Sequence, residues 1–174
     1  MRTSTIKLFV ILNVILFLIV GCNNGNKESV VNEFSIYLVQ NLSTTEAMSK
    51  KLNDLPLEAI PVLIDKEIKT YNWTEHEFTM KEGISLEGKL EGKVPSSGQP
   101  FVVVVGNERI YLGIFWSHLS SLFNPDRDIP RISSNWLKGS DNDMYKIRSE
   151  KIQDPRDNTK IFEAFKGLGK VINY

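Results

Sequence analysis

The sequence has little of what usually marks a particular chemistry. It holds one cysteine and two histidines in 174 residues, which excludes disulfide bonds within the chain and leaves no cluster suited to zinc. Lys and Arg (21) equal Asp and Glu (21), so the basic excess usual in nucleic-acid binders is missing. A composition of 41% hydrophobic and 24% charged residues is that of a globular domain and excludes collagen, coiled coils and polytopic membrane proteins.

Short motifs for catalysis, phosphate binding and metal binding are also missing. After the first 22 residues, the chain has no Gly-x-Ser-x-Gly or Ser-x-x-Lys nucleophile motif and no Gly-x-x-x-x-Gly-Lys-Ser loop. Asp141-Asn142-Asp143 lacks the spaced oxygen ligands, the glycine and the distal glutamate of a calcium loop. We therefore expect no catalytic residue, metal or cofactor that a motif would reveal.

The first 22 residues carry the strongest signal that is present. Arg2 and Lys7 form a short basic region, and an apolar stretch at 8–20 follows, interrupted only by Asn13. This stretch is too short to span a hydrocarbon core of about 30 Å, which needs about 20 residues, but it fits the apolar part of a signal peptide. We expect residues 1–21 to be a lipoprotein signal peptide, leaving 174 − 21 = 153 residues.

Ile19-Val20-Gly21-Cys22 resembles the lipobox of bacterial lipoproteins, although that family prefers Leu where Ile19 stands. The resemblance implies a diacylglyceryl group on Cys22, which becomes the first residue after cleavage. One acyl chain binds a membrane only reversibly, whereas two or three, such as palmitate, give a lasting anchor. We therefore expect a lipid anchor on the extracytoplasmic face of the cell membrane. Residues 22–33 hold the lipidated cysteine and a flexible polar tether.

Residues 34–174 contain the periodic segments and predict a single domain. The pattern favours strands at 34–39, 76–80 and 101–116, an irregular or edge strand at 57–64 and an edge strand at 145–152. It favours helices at 43–55, 65–71 and after Asp154, while 84–90 suits a strand or a turn of helix and 117–142 is a long loop. These elements predict an α+β fold, with an antiparallel or mixed β-sheet and two or three flanking helices.

The clearest local structure is a hairpin around Gly106-Asn107-Glu108. Four consecutive valines at 102–105 have no polar side, so their strand is expected to be covered on both faces. On a regular second strand, Arg109 and Tyr111 share one face, while Ile110, Leu112 and Trp116 take the other.

The domain is also similar to a group of uncharacterised lipoproteins from low-GC Gram-positive bacteria. The similarity covers most of 34–170 and is carried by Phe34-Ser35-Ile36-Tyr37-Leu38-Val39, Tyr71-Asn72-Trp73 with His76, Pro100-Phe101-Val102-Val103, Glu108-Arg109-Ile110-Tyr111-Leu112-Gly113, Phe115-Trp116, Ser120-Ser121 and Asp154-Pro155-Arg156. Gly106-Asn107 stands where Asp-Gly is expected in that group. The similarity implies localisation and fold, and it implies no activity.

A set of aromatic and polar residues is the candidate ligand or partner site. Its members are Tyr71, Trp73, His76, Arg109, Tyr111, Trp116, Ser120 and Ser121. Large amphipathic rings beside an arginine are typical of recognition surfaces. A plainer interpretation is that Trp73 and Trp116 fill the core and that Arg109 pairs with a carboxylate. The set predicts a non-enzymatic module that binds an envelope protein, a peptide or another envelope ligand.

The alternative is an extracytoplasmic, hydrolase-like enzyme that uses His118 or His76. His118 has serines close by in the sequence, at 117, 120 and 121. Neighbouring residues rarely point at each other productively, so these serines are better explained as capping a turn after the hairpin.

Overall fold

A computed structural model describes residues 33–117, 129–134 and 143–174. The strands are β1 (Phe34–Leu38), β2 (Leu63–Ile64), β3 (Ile68–Asn72), β4 (Glu77–Met80), β5 (Gln99–Val105), β6 (Glu108–Ser117), β7 (Arg131–Ser134), β8 (Met144–Arg148) and β9 (Val171–Ile172). The helices are α1 (Thr44–Met48), α2 (Leu86–Leu90) and α3 (Thr159–Gly167), with single 3-10 turns at Leu52–Asp54, Asp65–Glu67 and Pro155–Asp157. Cys22, His118, Ser120, Ser121 and Asp141-Asn142 lie outside the described residues.

The strands form one curled, mixed sheet in the order β2-β1-β5-β6-β7-β8-β4-β3-β9. The β6–β7 and β3–β9 pairs are parallel, and the other neighbours are antiparallel. The expected α+β class, with a mixed sheet and three helices, is confirmed, and most of the ordered structure is sheet. Within the described ranges, no helix has the length and apolar character needed to cross a membrane.

Two apolar layers cover β5, as the valine run predicts. Phe101, Val103 and Val105 belong to the main core with α2 and α3. Val102 and Val104 pack on the other face with Ala47 of α1 and Leu55. The strand lies between β1 and β6, so the prediction of a strand covered on both faces is confirmed.

A β-bulge in β6 changes which side chains share a face. Val103 pairs with Tyr111 but Val104 pairs with Arg109, so Ile110 is the extra residue. Tyr111 and Ile110 pack with the main core, whereas the Arg109 guanidinium donates to the carbonyls of Leu52 and Leu55, whose side chains pack on the other face with Val102 and Val104. The expected sharing of one face by Arg109 and Tyr111 is therefore wrong, because the bulge shifts the alternation by one residue.

Several element predictions were also corrected. The expected helix at 65–71 is one 3-10 turn followed by β3, because Ile68 to Asn72 pair with β4 and β9. Strand β8 lies between β7 and β4, so it is not an edge strand. The capping box of Ser43 and Glu46 is confirmed, but its helix ends at Met48. The last helix starts after Asn158 rather than Asp154, and segment 84–90 contains α2.

Candidate functional site

The turn between β3 and β4 places His76 at the centre of a hydrogen-bonded chain. His76 has a left-handed backbone (φ 51°), which is uncommon for a residue other than glycine, and only 6% of it is exposed. Its Nδ1 lies 3.1 Å from the Tyr71 hydroxyl, and its Nε2 lies 3.3 Å from Asp157 Oδ1. Its carbonyl accepts from the Ile147 amide at 2.9 Å. The residue thus ties β3, β8 and the 3-10 turn at 155–157 together.

The protonation states of the Tyr71 and His76 side chains follow from their surroundings. Burial raises the pKa of the Tyr71 hydroxyl, so the phenol stays protonated and can donate to Nδ1 of His76. Burial and the nearby Arg156 lower the pKa of His76, although Asp154 and Asp157 act in the opposite direction. The imidazole is therefore neutral at pH 7, with the proton on Nε2 facing Asp157. Both ring nitrogens are engaged, and this arrangement does not favour His76 as a free general base.

The lowered pKa of His76 predicts that acid weakens the fold. The unfolded chain binds a proton near pH 6.5, while folded His76 resists it, so stability is full above about pH 6.5 and falls as pH drops toward the folded pKa. Urea unfolding between about pH 7.5 and about pH 5.5 should show this loss. His76→Asn, which tolerates the left-handed backbone, should be less stable by about 1–2 kcal/mol but should lack most of that pH dependence. An equal pH dependence in both proteins would contradict this.

Arg156 and Asp154 form an ion pair next to His76. Arg156 Nε lies 2.8 Å and 2.9 Å from the two carboxylate oxygens of Asp154, and its Nη1 donates to the Ile147 carbonyl. Burial acts against ionisation of Asp154, but the hydrogen bonds from Arg156 outweigh it and hold the pKa of Asp154 below its usual range. Ligand atoms of His76, Asp154 and Asp157 lie within 4.8 Å of one another. Because Arg156 already neutralises Asp154, this trio does not form a good metal site.

A cavity of about 420 Å³ opens beside His76. Arg131 of β7 and Arg148 of β8 are direct cross-strand partners and both line it. Lys146 lies two residues along β8 and pairs with Glu75 at 2.6 Å and Glu77 at 3.2 Å. Among the described residues, the lining consists of Thr74, Glu75, His76, Arg131, Lys146, Arg148, Ser149, Glu150 and Arg156. Four of these side chains are cationic and two are carboxylates, and two of the cations, Arg156 and Lys146, already pair with Asp154 and with Glu75 and Glu77.

The structure brings together only part of the set predicted from the sequence. The Trp73 ring lies 6.0 Å from the ring of Tyr71 and 5.6 Å from that of His76. Tyr111 is buried, and its pKa is raised first by burial and then by the proximity of Tyr71. Tyr71, Trp73, His76 and Tyr111 therefore form one region, in which Tyr71 and Tyr111 belong to the main core.

Arg109 and Trp116 lie elsewhere. Arg109 Nη1 donates to the carbonyls of Leu52 and Leu55, both at 2.8 Å, so the interpretation that it pairs with a carboxylate is wrong. Trp116 is buried against Ile114 and Ile129 on the outer face of β6. The plainer interpretation, that Trp116 fills a core, is confirmed, and Trp73 packs against the main core while remaining partly exposed.

The arginines of the cavity were not singled out from the sequence. The alternation of β8 places Lys146 and Arg148 on one face, and Arg156 belongs to the Asp154-Pro155-Arg156 segment of the lipoprotein resemblance, at the start of the expected last helix. Their approach to Arg131 depends on the β7–β8 register, which no local pattern reveals.

Comparison with protein-family models, with curated proteins and with solved structures found no match to this chain. The similarity to low-GC Gram-positive lipoproteins therefore stays a prediction from the sequence.

Proposed function

We propose that this protein is a lipid-anchored binding module of the bacterial cell envelope that takes an anionic ligand in the cavity beside His76. The observation that carries the ligand class is the pairing of Arg131 with Arg148 across β7 and β8 at the cavity wall. Two guanidinium groups on one wall of the cavity are suited to an anion that offers two or more oxygens. The proposed anchor is Cys22, which the lipobox resemblance supports.

The chemistry of the lining favours binding over catalysis. The ring nitrogens of His76 both have partners, and Asp154 is held by Arg156. A hydrolase would need a free base beside a nucleophile, and among the described lining residues Ser149 and Thr74 are the two that carry a hydroxyl. The hydrolase-like alternative with His118 or His76 therefore receives no support from the geometry of His76.

Arginine suggests which anions fit. A guanidinium presents a planar fork of donors that matches the paired oxygens of a phosphate or a carboxylate. Arg148 is exposed, so its fork can meet a ligand without removal of core packing. A volume of about 420 Å³ is at the small end of ligand sites, which suits one phosphate ester or one short carboxylate group of a larger envelope molecule.

Arg148→Gln tests this proposal. The lost charge-assisted hydrogen bond should weaken binding of glycerol phosphate or citrate by about tenfold to a hundredfold, which corresponds to about 1.5–3 kcal/mol. Calorimetric titration at low and at high salt measures the affinity, and the wild-type affinity should fall as salt rises. Lys51→Gln removes one exposed positive charge that does not line the cavity and should leave binding unchanged. Saturable binding that Arg148→Gln does not weaken, or no binding of either anion by the wild type, would refute the proposal.

A further inference from the structure

We propose that a second surface, formed around α3, lies against the lipid bilayer that holds the chain. This α3 surface consists of Trp73, Phe162, Leu168, Ile172, Tyr174 and Lys166. It shares no residue with the lining of the anion cavity, although the Trp73 ring lies 5.6 Å from that of His76. The inference depends on the lipid anchor of the proposed function but not on the anionic ligand. The proposal concerns how the anchored domain sits on its membrane.

Contacts with the Phe162 ring join Trp73, Tyr174 and Lys166 within the α3 surface. The Phe162 ring lies 5.0 Å from that of Trp73 and 5.9 Å from that of Tyr174, and Lys166 Nζ lies 5.3 Å from the centre of the Phe162 ring. Leu168 and Ile172 are exposed, and Tyr174 is 81% exposed. Trp and Tyr rings flanked by lysine and exposed aliphatic side chains are typical of residues at a membrane–water interface.

The position of α3 relative to the tether supports the bilayer as the occupant. The tether joins the domain at Glu33, and the ring of the next residue, Phe34, lies 4.7 Å from that of Phe165 in α3. The Glu33 carbonyl accepts from the Gly106 amide at 3.0 Å. Glu108, in the same hairpin turn, pairs with Lys160 at the start of α3. Helix α3 is therefore fixed to the end of the domain where the tether leaves.

The length of the tether limits how far this end can be from the membrane. From Cys22 to Glu33 there are 33 − 22 = 11 residue steps, which reach at most about 40 Å when fully extended. Anchoring makes any contact between domain and bilayer intramolecular, so a small apolar surface can bind although it would be too weak on its own. The exposed area of five apolar side chains is suited to such a secondary contact.

A glycan is the main competing occupant, since sugars also lie against aromatic rings. Sugar binding would use the rings of Trp73, Phe162 and Tyr174, and it would give no reason for Leu168 and Ile172 to be exposed beside them. A bilayer accepts both aromatic and aliphatic side chains. The composition of the α3 surface thus favours lipid.

Spin labels on the acylated full chain test the proposal. Acylation blocks the sulfur of Cys22, so a cysteine introduced as Tyr174→Cys or Ile60→Cys is the one reactive thiol. The two positions are matched in exposure, 81% and 76%, and Ile60 follows Glu58, whose amide binds the Leu38 carbonyl at the end of β1 away from the tether. The protein is placed in vesicles of phosphatidylcholine and phosphatidylglycerol in equal parts. Relaxation of each label by oxygen and by a water-soluble nickel complex then reports its surroundings.

We expect the ratio of oxygen to nickel relaxation to be several-fold higher at 174 than at 60. Leu168→Glu, a change at an exposed position, should lower the ratio at 174 toward that at 60 without changing the circular dichroism. Equal ratios in protein that floats with the vesicles would overturn the α3 surface while leaving the proposed function intact. Shielding of the label at 174 by added oligosaccharide rather than by lipid would also overturn it. Failure to float would refute the anchor, and with it this inference.

Discussion

Glu87→Ala should lower the free energy of unfolding by about 3 kcal/mol or more, since it removes the acceptor of two buried hydroxyls that cost about 1–3 kcal/mol each when left unsatisfied. Glu87 is fully buried on α2, and its carboxylate accepts from Ser134 and from Tyr145. A third hydroxyl, that of Ser85, lies 3.5 Å from it. The carboxylate therefore organises donors from β7, from β8 and from the start of α2.

Tyr145 shows why the alanine variant should be costly. Burial, and then the hydrogen bond to Glu87, raise the pKa of Tyr145, so the phenol remains a donor. The same oxygen accepts from the Leu86 amide at 3.2 Å, and the ring stacks on Phe78 at 5.3 Å. Without Glu87 the hydroxyl would lose its carboxylate acceptor and would keep its hydrogen bonds with the Leu86 amide and the Ser85 side chain.

Chemical denaturation of three variants measures this effect. Glu87→Gln keeps an oxygen acceptor and the side-chain volume, so it should cost clearly less than Glu87→Ala. Glu91→Ala, at an exposed position just after the same helix, should change stability by no more than about 0.5 kcal/mol. If Glu87→Ala is as stable as Glu91→Ala, the buried network does not stabilise the fold.

Cys22→Ser should abolish acyl labelling completely and leave an unprocessed precursor. The serine hydroxyl cannot form the thioether that the lipobox resemblance implies, and the chain has no second cysteine to replace it. With the acyl chains absent, about 0.8 kcal/mol of membrane affinity is lost for each CH₂ that would have been buried.

Metabolic labelling with a radioactive fatty acid and the electrophoretic mobility of the chain measure both effects. Asn23→Ser, which changes the next residue and keeps the cysteine, should be labelled and processed normally. Labelling that survives Cys22→Ser would show that the acyl group, if any, is attached elsewhere, and the proposed anchor would be wrong.

The sequence patterns correctly predicted the parts of this fold that depend on residues close together in the sequence. The hairpin at 101–116 and the capping box at Ser43 are encoded by residues a few positions apart, and both are confirmed. The helix expected at 65–71 failed because pairing with β4 and β9 outweighs a weak N-terminal signal at Asp65. Strand β8 was mistaken for an edge strand because its alternating charges suit solvent, and its neighbour β4 is distant in the sequence.

The candidate site was predicted less well, for the same reason. Large aromatic side chains are frequent both on recognition surfaces and in cores, and Tyr71 and Tyr111 lie in the main core. His76 was found, whereas its partner Asp157 comes from a turn that approaches only in the folded chain. The opposed pair of Arg131 and Arg148 depends on strand register, and a one-residue shift would separate the two side chains.

The order of the strands has a consequence for when this chain can fold. Thr74 binds the carbonyl of Asn173 across 99 positions, and Lys170 binds that of Asp65 across 105. Strand β3 can therefore gain its neighbour β9 only after about 100 further residues have been made, and contacts between such distant residues slow folding. For a chain exported as proposed, this delay would keep the polypeptide extended long enough to cross the membrane before its sheet closes.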